Sequence, residues 1–418
     1  MEVKVKKGNT KGKIAVIPSK SYAHRILLCS ALSNQKTRVK GLIDSKDILA
    51  TINALKSIGA EFEYLGDEVI VSPITRVDVA KVFCDESGST LRFLLPVISA
   101  LGLQCEVDGK EGLRKRPIKL LLDVLRSNGA KIEGDSLPIK MSGSLKSGKF
   151  IIDGSQSSQN LTGLMYALTL LDKPSEIVVK VVQVSTGYID ITLEVMRSFG
   201  ARIEKTDTGY MVYPTILKRD GVVEVEGDYS SASFLLALGA LTGEVEVVGL
   251  NKHSKQGDKE MIDVLKGMGA DIEFNDTVVV KKSKLHPIEL DATDIPDLIP
   301  IISVCCAFAD GVSRIKGVDR LKIKESDRLQ AIIDMLGNFG IKTSYERDVL
   351  YVYGGNPSKP SVTINGYNDH RIVMSASVFA TAVGDTVIKD MEAIRKSYPT
   401  FFEDLNALGG DNIAEVLR

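Results

Sequence analysis

The chain has 418 residues, of which 44 % are hydrophobic and 26 % are charged, ordinary proportions for a protein that buries apolar cores. Its 53 Lys and Arg residues are balanced by 54 Asp and Glu residues. A global basic field for nucleic acid is therefore absent, and any anion site must be built locally. At about 100–200 residues per domain, the length predicts two to four domains.

Neither a membrane segment nor a metal cluster is apparent in the sequence. The longest apolar stretch, Leu298–Ala309, is shorter than the roughly 20 residues that span a bilayer. The first residues, Met1–Lys7, lack the apolar core of a secretory signal. Five cysteines without a C-x-x-C pattern and four scattered histidines favour neither a disulfide framework nor a metal site. We therefore expect a cytoplasmic protein with no metal site, no membrane contact and no nucleic-acid partner.

A short phrase recurs six times along the chain, each time around a glycine. Its central residues are Gly59, Gly129, Gly200, Gly269, Gly340 and Gly409, spaced 69 to 71 residues apart. Each glycine follows a helical pattern of apolar residues, and a short β-type run such as Glu61–Tyr64 or Asp271–Phe274 comes after it. Each repeat therefore predicts a helix, a left-handed glycine after its last turn, and a strand.

A second helix of almost wholly apolar residues is predicted in each repeat, and we expect all six to be buried. They are Ala23–Leu32, Thr90–Leu101, Asn160–Leu171, Ala232–Leu241, Leu298–Ala309 and Ile372–Ala382. Small polar or charged residues precede each one, where a helix presents free N–H groups and partial positive charge. Several such ends together would attract anions. Capping alone explains the Ser, Asp and Asn residues, but not the adjacent basic residues Lys20, Arg25, Arg92 and Arg371.

Two basic segments are candidates for anion binding. Pro18–Arg25 places a lysine, two serines and an arginine around a helix start, a mixture of donors that suits a phosphate. It lacks the glycine framework of a Walker A loop. Asp108–Pro117 is a basic loop before a predicted helix, and Arg116 is its best candidate ligand. A solvated turn is the alternative interpretation of this loop.

A third charged segment, Lys322–Arg328, combines cations with a carboxylate. Lys324 and Arg328 are four residues apart, which predicts one shared helix face with Glu325 beside them. A carboxylate among cations can transfer a proton while anions are held nearby. A solvated helix face is the alternative interpretation.

Taken in order, these segments resemble the 5-enolpyruvylshikimate-3-phosphate (EPSP) synthase family from Lys20 to Lys396. Each motif alone is weak, but the ordered set is specific. The motifs are Pro-Ser-Lys-Ser-x-x-x-Arg, Gly-Ser-Thr-x-Arg, Lys-x-Arg-Pro, Ser-Ser-Gln, Ser-x-x-Tyr-Ile-Asp-Ile-Thr, Ile-Pro-Asp, Lys-Glu-Ser-Asp-Arg and Asp-His-Arg.

The resemblance implies an α/β fold, a two-domain inside-out α/β barrel of six βαβαββ repeats with three in each domain. Residues 18–227 would form one domain, and residues 1–17 with 228–418 the other, with the active site in the cleft between them. It also implies a monomer that uses neither a metal nor an organic cofactor.

The resemblance further implies a transferase that joins phosphoenolpyruvate to the 5-hydroxyl of shikimate 3-phosphate and releases phosphate, in aromatic amino acid biosynthesis. By this analogy Asp297 takes the hydroxyl proton and Glu325 moves a proton at the methylene carbon. Lys20 is the third implied catalytic residue and also reaches phosphoenolpyruvate. The implied ligands of shikimate 3-phosphate are Lys20, Ser21, Arg25, Ser157, Ser158, Gln159, Ser185, Asp297 and Lys324. Those of phosphoenolpyruvate are Lys20, Gly88, Arg116, Gln159, Arg328, Arg371 and Lys396. Sensitivity to glyphosate, which mimics phosphoenolpyruvate in this family, is also expected.

Two positions depart from the commonest family pattern. Glu86 and Arg320 stand where many or some members carry Asn, so no ligand role is transferred to either. One alternative function is enolpyruvyl transfer to UDP-N-acetylglucosamine, but Asp108–Pro117 lacks the cysteine typical of that enzyme. A non-catalytic anion-binding repeat protein is the other alternative.

Overall fold

The computed structural model describes residues 1–75, 79–181, 184–355, 357, 362–410 and 413–417. The chain divides into two units. The first unit consists of Met1–Ile17 and Gly227–Arg418, and the second of Pro18–Glu226. The chain therefore begins in the first unit, forms the whole of the second and returns to the first.

Within the described residues the chain forms 24 β-strands and 13 α-helices. The strands are β1 (Glu2–Val5), β2 (Lys11–Ala15), β3 (Thr37–Lys40), β4 (Glu61–Leu65), β5 (Glu68–Ser72), β6 (Val79–Phe83), β7 (Gln104–Asp108), β8 (Ala130–Glu133), β9 (Ile139–Gly143), β10 (Lys149–Ile152), β11 (Ser175–Val179), β12 (Ile203–Thr206), β13 (Gly209–Val212), β14 (Val222–Glu224), β15 (Glu244–Val248), β16 (Asp271–Phe274), β17 (Val278–Lys281), β18 (Glu289–Asp291), β19 (Gly311–Lys316), β20 (Lys342–Glu346), β21 (Val349–Gly354), β22 (Val362–Ile364), β23 (Thr386–Lys389) and β24 (Ala414–Leu417). The helices are α1 (Lys20–Ala31), α2 (Lys46–Ser57), α3 (Gly88–Leu101), α4 (Glu111–Arg114), α5 (Lys119–Ser127), α6 (Ser158–Thr169), α7 (Thr186–Ser198), α8 (Tyr229–Thr242), α9 (Met261–Gly267), α10 (Ile299–Ala307), α11 (Arg328–Asn338), α12 (His370–Val383) and α13 (Phe401–Gly409). Three turns of 3-10 helix are Gly257–Glu260, Asp319–Ile323 and Met391–Lys396.

Each unit contains three four-stranded sheets with one common pattern. In the second unit the strand orders are β14-β3-β5-β4, β6-β7-β9-β8 and β10-β11-β13-β12. The first pair in each is parallel and the next two pairs are antiparallel. This is the pairing that a βαβαββ repeat produces, because a helix must connect the parallel strands whereas a short turn can connect the last two.

The first unit repeats this pattern with strands from distant parts of the chain. Its orders are β22-β23-β1-β24, β2-β15-β17-β16 and β18-β19-β21-β20. The N-terminal strands β1 and β2 complete two of these sheets. In the second unit, β14 from its end completes the sheet that begins at β3. The six-repeat α/β architecture predicted from the sequence is confirmed, with these strand exchanges added.

All six apolar helices are present and buried, as predicted. They are α1, α3, α6, α8, α10 and α12, and their apolar side chains form the cores of the units. Among the described residues, none of the helices combines the length and apolar character needed to cross a bilayer. The close packing of α6 on α3 depends on Gly163, because a Cβ there would lie 2.2 Å from the carbonyl oxygen of Arg92.

The repeat glycines end helices as predicted in five of the six copies. Their φ angles are positive, for example 89° at Gly200 and 83° at Gly340. The prediction is wrong at Gly409, which is the last residue of α13. The next residue, Gly410, takes the left-handed conformation instead, with φ 79°. The helix end in the last repeat is therefore one residue later than predicted. The recurring sequence phrase could not show this, because Gly409 and Gly410 are adjacent.

Replacing Gly200 by Ala isolates the cost of this backbone conformation, because no atom lies within 4 Å of the added Cβ. We expect Gly200→Ala to lower the free energy of unfolding by about 1–2 kcal/mol, the cost of a left-handed L-residue. Gly337, inside α11, also has open space around its Cβ position and no positive φ. Gly337→Ala should therefore stabilise the protein by up to about 1 kcal/mol. Urea unfolding of both variants measures this, and equal effects would contradict the backbone explanation.

Candidate active site

Asp297 is the centre of a charged cluster in the first unit. It lies in the turn just before α10, and its carboxylate accepts hydrogen bonds from Arg328 Nη1 at 3.0 Å and Arg371 Nη2 at 3.1 Å. Lys324 Nζ lies 3.4 Å from the same carboxylate. Arg371 also donates to the Asp297 carbonyl oxygen at 3.0 Å. One carboxylate therefore holds three cations at one point.

Arg328 is held from its other side by Asp369, a fully buried carboxylate that sequence reasoning left without a role. Arg328 Nε and Nη2 donate to the two Asp369 oxygens at 2.8 and 3.1 Å, a bidentate pair. Burial alone would lower the pKa of Arg328, but Asp369 and Asp297 raise it above its ordinary value. Asp369 also caps α12 by accepting from Arg371 N. The motif Asn-Asp-His-Arg contained the signal, since its Asp occupies a capping position.

Lys324 does not share a helix face with Arg328, so that prediction is wrong. Lys324 ends the 3-10 turn in an extended conformation, and α11 begins only at Arg328 because Asp327 caps it. The two cations meet through Asp297 instead. Burial, opposed by Asp297 and reinforced by the neighbouring arginines, lowers the pKa of Lys324 to about 8. Lys324 can therefore change its charge at mildly alkaline pH.

Glu325 belongs to a neighbouring group with His370 and Lys396. His370 Nδ1 lies 3.0 Å from Glu325 Oε2, and Lys396 Nζ lies 3.7 Å from the same oxygen. Lys396 also donates to the carbonyl oxygen of Asn368 at 2.5 Å. Asn368 has a φ of 50°, so a strained backbone turn presents this carbonyl. The arrangement places a carboxylate between an imidazole and an ammonium group, which suits proton transfer.

Glu325, Asp369 and His370 have potential ligand atoms within 4.8 Å of one another, as a metal site would require. Both carboxylates are already neutralised by cations, Asp369 by Arg328 and Glu325 by Lys396. A divalent ion here would have to lie among these positive charges. The donor set therefore fits an ion-pair network better than a metal centre.

Asp258 is a further buried acid that the sequence did not single out. It accepts a hydrogen bond from the Ser230 hydroxyl at the start of α8. Burial, countered by Arg371 and reinforced by Asp297, raises the pKa of Asp258 to about 6. At the start of α8, Tyr229 N donates to Gln256 and Ser231 N donates to Asp228. These two backbone N–H groups are therefore already used and do not offer a hydrogen bond to a ligand.

Lys20 and Arg25 lie five residues apart on α1 in the second unit. Lys20 Nζ pairs with Asp47 on α2 at 2.8 Å. Arg25 donates to Thr192 Oγ1 and to the carbonyl oxygens of Ser21 and Tyr188. Within the described residues, each of these three bonds ends on a neutral oxygen. Burial lowers the pKa of Arg25 from its ordinary value, as expected for a buried cation without a carboxylate.

Two more guanidinium groups converge on Gly88, the first residue of α3. A Cβ at Gly88 would lie 2.8 Å from Nη1 of both Arg92 and Arg116, so these nitrogens are no more than twice that distance apart. Burial, together with the charge of Arg116, lowers the pKa of Arg92 to about 10. The Arg116 Nε is buried without a hydrogen-bond partner among the described residues. Two adjacent cations with unused donors can bind an anion.

Gln159 connects this pair of arginines to the start of α3. Its Oε1 accepts from Arg92 Nη1 at 3.2 Å, and its Nε2 donates to Ser89 Oγ at 2.9 Å. Ser157 caps α6 by accepting from Gln159 N, and Ser158 is the first residue of that helix. Ser185 precedes α7 with a φ of 56°. The predicted residues of the second unit thus lie at the starts of α1, α3, α6 and α7, except Arg116, which follows α4.

Comparisons with known proteins identify the family. The family model described as EPSP synthase (3-phosphoshikimate 1-carboxyvinyltransferase) matches residues 5–405. The chain belongs to this family. It is 39 % identical to the 3-phosphoshikimate 1-carboxyvinyltransferase of Pyrococcus abyssi and 34 % identical to that of Clostridium novyi, over 94 % and 98 % of this chain and 94 % and 97 % of theirs. A solved EPSP synthase from Acinetobacter baumannii superposes with a TM-score of 0.82 at 25 % identity, covering 100 % of both chains.

Membership in the EPSP synthase family makes the chain a transferase and confirms the family resemblance and fold class inferred from the sequence. The two departures from the family pattern lie beside the clusters described above. Arg320 donates to the carbonyl oxygen of Thr293 at 3.1 Å, close to Lys324 in the chain. Glu86 precedes Ser87, the capping residue of α3.

The lowered pKa of Lys324 predicts a pH-dependent contribution to stability. Its pKa is about 8 in the folded protein against 10.5 ordinarily, so the unfolded chain binds the proton more tightly. The Lys324 contribution therefore rises with pH between these values, by at most about 1.4 kcal/mol per pH unit. Solvent screening reduces the slope, because 27 % of the side chain is exposed.

Urea unfolding of the parent and of Lys324→Met, measured from pH 7 to pH 10, should show this slope only in the parent. Lys322→Met is the matched control, because Lys322 is exposed, pairs with Asp319 and has its pKa raised instead. A parent and a Lys324→Met variant with parallel pH profiles would contradict the assignment.

Proposed function

We propose that this chain transfers the enolpyruvyl group of phosphoenolpyruvate to the 5-hydroxyl of shikimate 3-phosphate, with release of phosphate. The observation that carries the proposal is the cluster in which Asp297 meets Lys324, Arg328 and Arg371. A base for a hydroxyl proton thereby adjoins three cations that suit anionic substrates. The activity is the one named for the relatives of this chain.

The reaction needs one proton removed and one added before phosphate can leave. The 5-hydroxyl oxygen bonds to C2 of phosphoenolpyruvate while Asp297 accepts its proton. The C3 methylene group gains a proton from a general acid, and Glu325 and Lys20 contribute to this role. The C2–O bond to phosphate then breaks, and a methyl proton returns to the protein as the double bond re-forms. General acid–base catalysis supplies these steps without a cofactor.

Shikimate 3-phosphate is assigned mainly to the second unit. Its phosphate suits Ser157, Ser158 and Ser185, with hydroxyl and N–H groups at the starts of α6 and α7. Its remaining ligands are Lys20, Ser21, Arg25 and Gln159 from the second unit and Asp297 and Lys324 from the first. Buried Arg25 supports this assignment, because the hydrogen bonds that it donates within the described residues all end on neutral oxygens.

Phosphoenolpyruvate is assigned to the remaining cations. Its ligands are Lys20, Gly88, Arg116, Gln159, Arg328, Arg371 and Lys396. The convergence of Arg92 and Arg116 over Gly88 supports the part of this site in the second unit. In this assignment each unit supplies ligands for both substrates.

Phosphate release tests the function directly. We expect release from phosphoenolpyruvate only when shikimate 3-phosphate is present, with equimolar enolpyruvyl product. Release with UDP-N-acetylglucosamine instead would support the sister enzyme, which the comparisons do not favour. Binding of both substrates without turnover would support a non-catalytic anion-binding protein. We further propose that the protein is a monomer and is cytoplasmic. Sedimentation at several concentrations would test the first point, and cell fractionation the second.

Asp297→Asn should lower kcat by about 10²–10⁴-fold, because an amide cannot accept the hydroxyl proton. The KM values should change less, since Asn keeps the shape and one oxygen for Arg328. The control is Asp294→Asn, an exposed carboxylate three residues earlier, which should keep its kcat. Near-normal turnover of Asp297→Asn would remove this residue from its role.

Gly88→Ala should weaken the binding of glyphosate more than that of phosphoenolpyruvate. The difference between the two losses of binding free energy should be roughly 1–3 kcal/mol. The added Cβ would press on the ends of Arg92 and Arg116, and the longer inhibitor has less room to adapt. The inhibition constant and the KM for phosphoenolpyruvate measure this in both proteins. Gly148→Ala, with open space around its Cβ, is the control. Equal shifts in both constants, or a parent already resistant to glyphosate, would contradict the steric argument.

A further inference from the structure

A chain of buried hydroxyl groups connects α1, α2 and α3 in the second unit. His24 Nδ1 lies 2.7 Å from Thr51 Oγ1, which lies 2.6 Å from Thr90 Oγ1. The Thr90 hydroxyl donates to Ser87 Oγ at 2.7 Å. All four side chains are buried. The chain ends at the residue that caps α3 and precedes Gly88, because Ser87 Oγ also accepts from Thr90 N.

The direction of the protons in this chain follows from counting them. Each hydroxyl has one proton to donate. Because Thr90 donates to Ser87, it must accept from Thr51, and Thr51 must then accept from His24. His24 therefore carries its proton on Nδ1. Burial lowers the pKa of His24 to about 3, against the pull of Asp47 and in line with the charges of Lys20 and Arg25, so the ring stays neutral.

The hydrogen-bond chain lies beside the ion pair between Lys20 and Asp47. Lys20 and His24 are one turn apart on α1, and their partners Asp47 and Thr51 are one turn apart on α2. The two helices are thus joined by two polar contacts, and Thr51 extends the second one to α3. Lys20 is thereby held in register with the start of α3.

We propose that His24, Thr51 and Thr90 are positioning residues that fix Gly88 and its loop against Lys20 for phosphoenolpyruvate. This inference rests on the proposed function, in which Lys20 and Gly88 both contact that substrate. Without the hydroxyl of Thr51, α3 keeps its Ser87 cap and its bond from Gln159, but loses the polar link to α2 that Thr51 makes. The loop can then move relative to Lys20 while the fold persists.

Steady-state kinetics with both substrates test the proposal. We expect Thr51→Val to raise the KM for phosphoenolpyruvate about 10-fold or more, as small misplacements at reacting groups do. The KM for shikimate 3-phosphate should change less than about 2-fold, since Arg25 and the serines keep their contacts. Thr51→Ser restores a hydroxyl and should restore the parent KM. The double variant Thr51→Val/Thr90→Val should resemble the single one, because both break one chain.

The matched control is Thr10→Val in the first unit. Thr10 and Thr242 form a buried hydroxyl pair at 2.8 Å that touches none of the proposed ligands. Thr10→Val should leave both KM values unchanged although it loses the same kind of bond. Equal changes in both KM values for Thr51→Val, or no rescue by Thr51→Ser, would overturn the proposal. A parent that fails to release phosphate would instead refute the proposed function.

Nitrogen NMR of the unaltered protein gives a second test that needs no variant. The chain has four histidines, so the ring signals of His24 can be assigned. We expect its Nδ1 to be protonated, its Nε2 to be unprotonated, and neither to titrate above pH 5. Protonation on Nε2 would reverse the proton order and overturn the proposal, whatever the variants show.

Discussion

The geometry of the first unit depends on one buried guanidinium group, that of Arg328. A buried cation is costly unless carboxylates and hydrogen bonds compensate it. Asp369 supplies two of these bonds and Asp297 a third. Since Asp369 also caps α12 and Asp297 precedes α10, the ion pairs fix α10, α11 and α12 relative to one another. Asp297, the proposed catalytic base, is thus placed by the same contacts that hold this core together.

The second unit handles its buried cations differently. The three hydrogen bonds that Arg25 donates within the described part of the chain end on neutral oxygens, and Arg92 lies beside Arg116. This arrangement leaves charge and donors unused, which a binding anion can satisfy. The two units therefore differ in how these buried arginines are compensated, since Arg328 is paired with carboxylates whereas Arg25 donates to neutral oxygens.

The secondary-structure elements that local sequence patterns encode could be predicted from the sequence. Apolar runs and glycines at a fixed period predicted the buried helices and their ends, because burial and positive φ constrain residue type at each position. Partners that depend on tertiary structure were out of reach. Nothing near Val222–Glu224 indicates pairing with β3, and nothing near Glu2–Val5 indicates pairing with β23.

The candidate site shows the same division. Basic residues beside caps and the family motifs predicted most of its cations. The alignment of Thr51 and Thr90, 39 residues apart, could not be predicted, because isolated threonines in apolar helices carry no signal of a shared hydrogen bond. Nor could the sequence show that Lys324 and Arg328 meet at a carboxylate from another turn.

The contacts of Asp297 also bear on its proposed role as a base. Protonation of a carboxylate that faces three cations would leave those charges uncompensated. The same cations, Lys324, Arg328 and Arg371, are the proposed ligands of the anionic substrates. Once phosphate and carboxylate groups neutralise them, the cost of protonating Asp297 falls. The substrates would therefore activate their own base, and the carboxylate would become effective only when both anions are in place.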